Sequence, residues 1–137
     1  MIRILAVTLA VFYCLSANAQ TAPLAPEAQK VIAGQIQAFR AQQHEEAFSY
    51  ATDNLQRMFG STERFIGMVR QGYMPIYGAK SWAFERSRMQ GDMLLQEVRL
   101  VGPKGREWMA LYTMERLADG SWRIAAVRMV PATSRMT

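Results

Sequence analysis

EAQKVIAGQIQAFRAQQHEEAFSY (Glu27–Tyr50) carries apolar residues at helical spacing along its whole length. At about 3.6 residues per turn, Ile32, Ile36, Phe39, Ala47 and Tyr50 fall on one stripe, with Ala28 on its flank and Gln43 inside it. Lys30, His44 and Glu45 fall off the stripe. The spacing predicts one long helix of about 35 Å, able to lie across a small sheet, with Glu45-Glu46 as the place where it would bend.

Downstream, shorter helical pieces follow. Asp53 with Gln56 three residues on has capping-box spacing, and Ser61 is the next N-cap signal. Leu55, Met58 and Phe59, then Phe65, Met68 and Val69, form apolar faces, which Gly72 and Pro75 bring to an end. From Trp82 the period changes to two. Strands are expected at 82–88, 93–101, 107–117 and 122–130, with turns at Gln90-Gly91-Asp92, Gly102-Pro103-Lys104-Gly105 and Ala118-Asp119-Gly120-Ser121. The fold class is therefore α+β, with N-terminal helices packed on a curved four-stranded antiparallel sheet.

Symmetric pairing about each turn sorts the strand residues into two faces. Leu94, Val98, Leu100, Met109, Leu111, Ile124 and Ala126 form an aliphatic set suited to lie under the helices. Trp82, Phe84, Trp108, Ala110, Tyr112, Met114, Ala125 and Val127 form the other, interleaved with Arg86, Glu97, Arg99 and Arg123. A one-residue bulge would exchange part of these sets. On this pairing the second face asks for its own cover, and Trp82, Phe84, Arg99, Trp108 and Arg123 become the expected contact surface of a homodimer or protein partner.

The first 19 residues read as a secretory leader: Arg3, an apolar run Ile4–Leu15, and Ala17-Asn18-Ala19 before Gln20. The run is too short to span about 30 Å of hydrocarbon, so no stable membrane anchor is expected after cleavage. Removing the leader from the 137-residue chain leaves 118 residues, enough for one domain. The expected division is leader 1–19, lead-in 20–26, domain 27–131 and tail 132–137, in a periplasmic or secreted protein. Cleavage also removes Cys14, the only cysteine, and leaves 15 basic against 11 acidic residues. Stability must then come from packing rather than a disulfide.

The ordered series Ala38-Phe39-Arg40, Ala47-Phe48, Met58-Phe59-Gly60, Phe65-Ile66-Gly67-Met68-Val69, Gly72-Tyr73-x-Pro75, Trp108-x-Ala110-x-Tyr112 and Asp119-Gly120-x-Trp122-Arg123-Ile124 resembles the exported bacterial family catalogued as domain of unknown function 4864. The resemblance covers nearly all of the chain after Pro26. It implies the nuclear transport factor two-like (SnoaL-like, cystatin-like) α+β cone. Thr52-Asp53 stands where many relatives would have a proline after the first helix. The superfamily includes isomerases, dehydratases, transport factors and interaction modules, so the fold does not choose an activity.

For chemistry the residues give little. One histidine and no mature cysteine argue against a metal site, and no phosphate loop, nucleophile elbow or HExxH motif is present. No cofactor is implied. The glutamates on the strands have arginines nearby, Arg86 opposite Glu97 among them, and read as surface pairs. His44 beside Glu45 could act as a base, although its place off the stripe reads as a wet helix position. Gln43, inside the stripe, needs a polar partner. With Phe39, Tyr50, Tyr73, Tyr77 and Tyr112, whose bodies are apolar and most of whose tips are polar, it makes the candidate lining of a pocket for a small apolar ligand. Arginines beside aromatics satisfy a nucleic-acid pattern only loosely, and no nucleic acid partner is expected. The leading reading is a non-enzymatic module that binds a small ligand or a protein. The alternatives are a cofactor-independent lyase or isomerase in the cone and a structural subunit of an assembly. An interior carboxylate–tyrosine pair would favour an enzyme; an apolar pocket without acids or bases would favour binding.

Overall fold

The computed structural model describes residues 24–132. The leader at 1–19, most of the lead-in and nearly all of the expected tail lie outside the described residues. Five helices, α1 (Pro26–Arg40), α2 (His44–Ser49), α3 (Asp53–Phe59), α4 (Thr62–Gly72) and α5 (Met74–Tyr77), precede four strands. The strands are β1 (Ser81–Gln90), β2 (Met93–Val101), β3 (Glu107–Arg116) and β4 (Trp122–Pro131), paired antiparallel in the order β1-β2-β3-β4. The result is an α+β cone, helices gathered on one face of a curved meander.

The expected single long helix is two helices. Gln42 takes a left-handed φ of 57°. Gln42 N–H donates to Phe39 O at 3.1 Å and Gln43 N–H to Ala38 O at 2.8 Å. These are the two bonds of a Schellman stop, here with glutamine where glycine is usual. The chain then restarts as α2, so that Ala47 is fully buried and its carbonyl accepts from Gln35 Nε2 at 3.1 Å. The break removes Gln43 from the buried stripe and leaves it exposed. The buried amide is Gln35, one turn before Phe39 and 4 % exposed.

The cap of α3 is shifted by one residue from the expected Asp53. Thr52 Oγ1 accepts from Leu55 N–H at 3.3 Å, while Gln56 Nε2 donates to Ala51 O at 2.9 Å. Ser61 caps α4 as its position predicts, accepting from Arg64 N–H at 3.2 Å. Just before α3 the helical half is stitched to the sheet. Ile124 N–H donates to Tyr50 O at 2.8 Å and Thr52 N–H to Ile124 O at 3.0 Å. Ala51 thereby forms a parallel bridge with Ile124.

The two sheet faces differ from those expected, for reasons of register. Val101 pairs with Glu107, so the β2–β3 loop holds five residues, Arg106 included, rather than four. One added residue moves every β3 side chain to the other face. Trp108, Ala110, Tyr112 and Met114 therefore join Leu94, Val98 and Leu100 beneath the helices, and Met109 and Leu111 turn outward. In β4 a bulge leaves Ala125 as the extra residue between the Met114–Ile124 and Thr113–Ala126 pairs. Ile124 and Val127 consequently both face the core. A second bulge, in β1 between Phe84 and Ser87, is held by Gln96, which is 2 % exposed. Its Nε2 lies 3.3 Å from Glu85 O and 3.4 Å from Arg86 O, carbonyls the irregular ladder leaves over.

Trp82 and Phe84, paired with the buried Leu100 and Val98, pack against the core with Trp108, and the three do not form an outer contact surface. Arg40, in the last turn of α1, lies 5.7 Å from the Trp82 ring centroid. Arg99 is on the open face, bonded to Glu85 at 2.9 Å. Arg123 donates to the Ser49 carbonyl at the end of α2. The expected pair of Arg86 with Glu97 forms, at 3.2 and 3.3 Å.

Candidate functional site

A cavity of about 250 Å³ lies between the helices and β4. The α1 side chains Gln35 and Phe39 border it, and Leu55 and Phe59 reach it from α3. Phe65, Met68 and Val69 come from one face of α4, and Ile124 to Val127 from the bulged stretch of β4. The bulge matters here, because it presents Ile124 and Val127 inward with Ala125 between them, small enough to leave space.

Only two lining side chains end in polar atoms, and both are engaged. Gln35 Nε2 is bound to the Ala47 carbonyl. Tyr73 Oη donates to the Val127 carbonyl at 3.2 Å. No Asp, Glu, His, Cys, Lys or Arg is among the lining residues. Such a surface can hold an apolar body by burial and dispersion, and its one phenol, Tyr73, is held on the Val127 carbonyl.

Of the six side chains expected to line a pocket, the structure brings Phe39 and Tyr73 to this cavity. Gln43 is exposed on the break after α1. Tyr50 lies against Gly34 of α1 with its hydroxyl 3.2 Å from Glu46 Oε1. Burial, then the bond to Glu46 and its charge, raise the Tyr50 pKa. Tyr77 packs on Phe39 with ring centroids 5.6 Å apart, and its hydroxyl is 3.0 Å from His44 Nε2. His44 is therefore half-buried and bonded rather than simply wet. Tyr112 is fully buried in the sheet face, and its hydroxyl has no hydrogen-bond partner among the described residues. Burial pushes its pKa up.

The sequence reading missed Gln35, Leu55, Phe59, Met68, Ile124 and Val127 as lining residues. A signal for most of them existed. Gln35 sits three residues after Ile32 and four before Phe39, and Leu55 and Phe59 share a helical face. The inward turn of Val127 could not be read, because it depends on the bulge.

Among the described residues no group of three or more His, Cys, Asp or Glu side chains could hold a metal ion, and no helix is long and apolar enough to cross a membrane. No curated protein matches the chain significantly. The chain is similar in structure to an NTF-2 like protein of unknown function from Burkholderia xenovorans LB400, with a TM-score of 0.50 and 12 % identity over 82 % of this chain and 88 % of that one. At that identity the likeness shows the fold, which is the nuclear transport factor two-like cone. Residues 21–137 match the family described as Domain of unknown function (DUF4864), and the chain belongs to that family.

Proposed function

We propose that this chain is an exported, non-enzymatic module that binds a small apolar molecule in the cavity between α3, α4 and β4. The observation that carries the reading is the lining itself: mostly apolar, with Gln35 and Tyr73 each donating to a backbone carbonyl and no carboxylate, imidazole, amine or thiol among the lining side chains. An apolar cavity of about 150 Å³ holds benzene, so about 250 Å³ suits a one- or two-ring or short branched hydrocarbon body. The superfamily's isomerase-like chemistry needs a desolvated carboxylate near the substrate, and this lining provides none. Export rests on the leader pattern, and the intact mass of secreted protein should place Gln20 first.

The binding test is a titration with naphthalene, followed by methyl resonances of Met68 and Val127. Wild type should show saturable one-to-one shifts at both. Met68→Trp fills the cavity and should abolish them while circular dichroism stays unchanged. Leu55→Trp serves the same purpose should the first variant misfold. Absence of saturable shifts in wild type, or equal binding by a folded Trp variant, would falsify the reading.

A further inference from the structure

A second and larger concavity, about 690 Å³, lies on the opposite side of the sheet. Its floor is formed by Leu95, Leu111 and Ala126, which the register places on the open face. Arg86 and Arg88 stand on its β1 side and Arg128 on its β4 side. Glu97 is the only carboxylate in the lining, and Arg86 holds it through two bonds. Arg88 and Arg128 have no carboxylate partner among the described residues. The groove therefore combines an apolar floor with two uncommitted guanidiniums, on opposite rims.

We infer that this groove binds a monomeric amphiphilic carboxylate, its apolar body on Leu95 and Leu111 and its head on Arg88 or Arg128. A guanidinium offers paired N–H donors that match a carboxylate. The volume lies in the range of small-molecule sites, about 300–1,000 Å³. An extended peptide fits less well. Strand addition needs an open sheet edge, whereas this floor is the face of a ladder whose backbone groups are paired from β1 to β4. A peptide lying on it would leave its own backbone polar groups unmet. A second copy of the chain is the rival occupant of this face, and light scattering separates it from a small ligand.

The site is distinct from the interior cavity, and the test separates the two. Sodium decanoate below its micellar concentration is titrated into the full mature chain, with Leu95, Leu111 and Met68 methyl resonances as reporters. Decanoate should shift Leu95 and Leu111 saturably and leave Met68 in place. Arg88→Glu/Arg128→Glu should weaken decanoate binding at least tenfold, and decyltrimethylammonium should bind that double variant more tightly than wild type. Both substituted side chains are exposed, so the fold should be retained. Three results would overturn the inference: shifts confined to Met68, undiminished decanoate affinity in the double variant, or light scattering that shows a wild-type dimer dissociated by the double substitution.

Discussion

At the residue scale, Phe39 near the end of α1 and His44 at the start of α2 divide packing from polar bonding. Phe39 is 2 % exposed and meets Phe65 at 6.1 Å and Tyr77 at 5.6 Å between ring centroids. Truncation to alanine removes an aromatic side chain that three helices share, and Phe39→Ala should cost about 3–5 kcal/mol. His44 contributes by a different route, through its 3.0 Å bond to the Tyr77 hydroxyl. His44→Ala leaves that half-buried hydroxyl short of a partner and should cost about 1 kcal/mol. Urea unfolding of both variants gives the comparison; a His44→Ala midpoint equal to wild type would show that the bond contributes nothing. Phe39 was legible in the sequence because its apolar neighbours repeat at helical spacing. The role of His44 was not, because its partner lies 33 residues away and periodicity along one helix carries no information about another. Gln43 was misplaced for a local reason. The stop after Arg40 uses glutamine in a left-handed conformation, and nothing in Ala41-Gln42-Gln43 announces it as a glycine would.

At the element scale, α1 and α2 are held together at a point where α1 has no side chain. A Cβ at Gly34 would stand 2.6 Å from Tyr50 Oη and 2.8 Å from Tyr50 Cζ, closer than real contacts allow. Alanine is favoured over glycine within a helix by about 1 kcal/mol, yet forcing the Tyr50 ring aside costs about 1–3 kcal/mol in packing. Gly34→Ala alone should therefore be neutral to destabilising. In a Tyr50→Ala background the obstruction is gone, and the same substitution should stabilise by up to about 1 kcal/mol. A double-mutant cycle measures the coupling; strict additivity would mean that the ring does not sit over Gly34. The strands tell a parallel story about what can be read. Their number, order and approximate limits follow from alternation and turn residues. Their faces do not, because a five-residue loop, against the four expected, and the extra Ala125 each reverse the direction of every side chain beyond them. That reversal is why Trp108, expected on an outer surface, became part of the helix-facing side; Trp82 faces the same way because it pairs with Leu100.

At the scale of the whole molecule, stability is distributed unevenly, and the candidate cavity lies beside the weakest cover. The inner strands β2 and β3 are bonded on both sides and carry the fully buried Leu94, Val98, Leu100, Ala110, Tyr112 and Met114. By contrast α3 has no buried residue of its own, and Met58 on its outer side is 71 % exposed. It is bounded by Thr52, stitched to Ile124, and by Gly60 at a left-handed φ of 80°. Leu55 and Phe59 are its contribution to the cavity wall. An element with so little buried surface opens locally at a fraction of the global unfolding free energy. Hydrogen exchange should accordingly find the hydrogen-bonded amides of Gln56 to Gly60 among the fastest in the helices. The central amides of β2 and β3 should exchange only through global unfolding. A molecule seated in the cavity rests against Leu55 and Phe59, so naphthalene at saturation should slow exchange in α3 more than in β2 or β3. Uniform protection across the chain would show that the ligand stabilises the fold without bracing this helix. Slow exchange of α3 before any ligand is added would show that the wall is already rigid, with entry to the cavity needing another path.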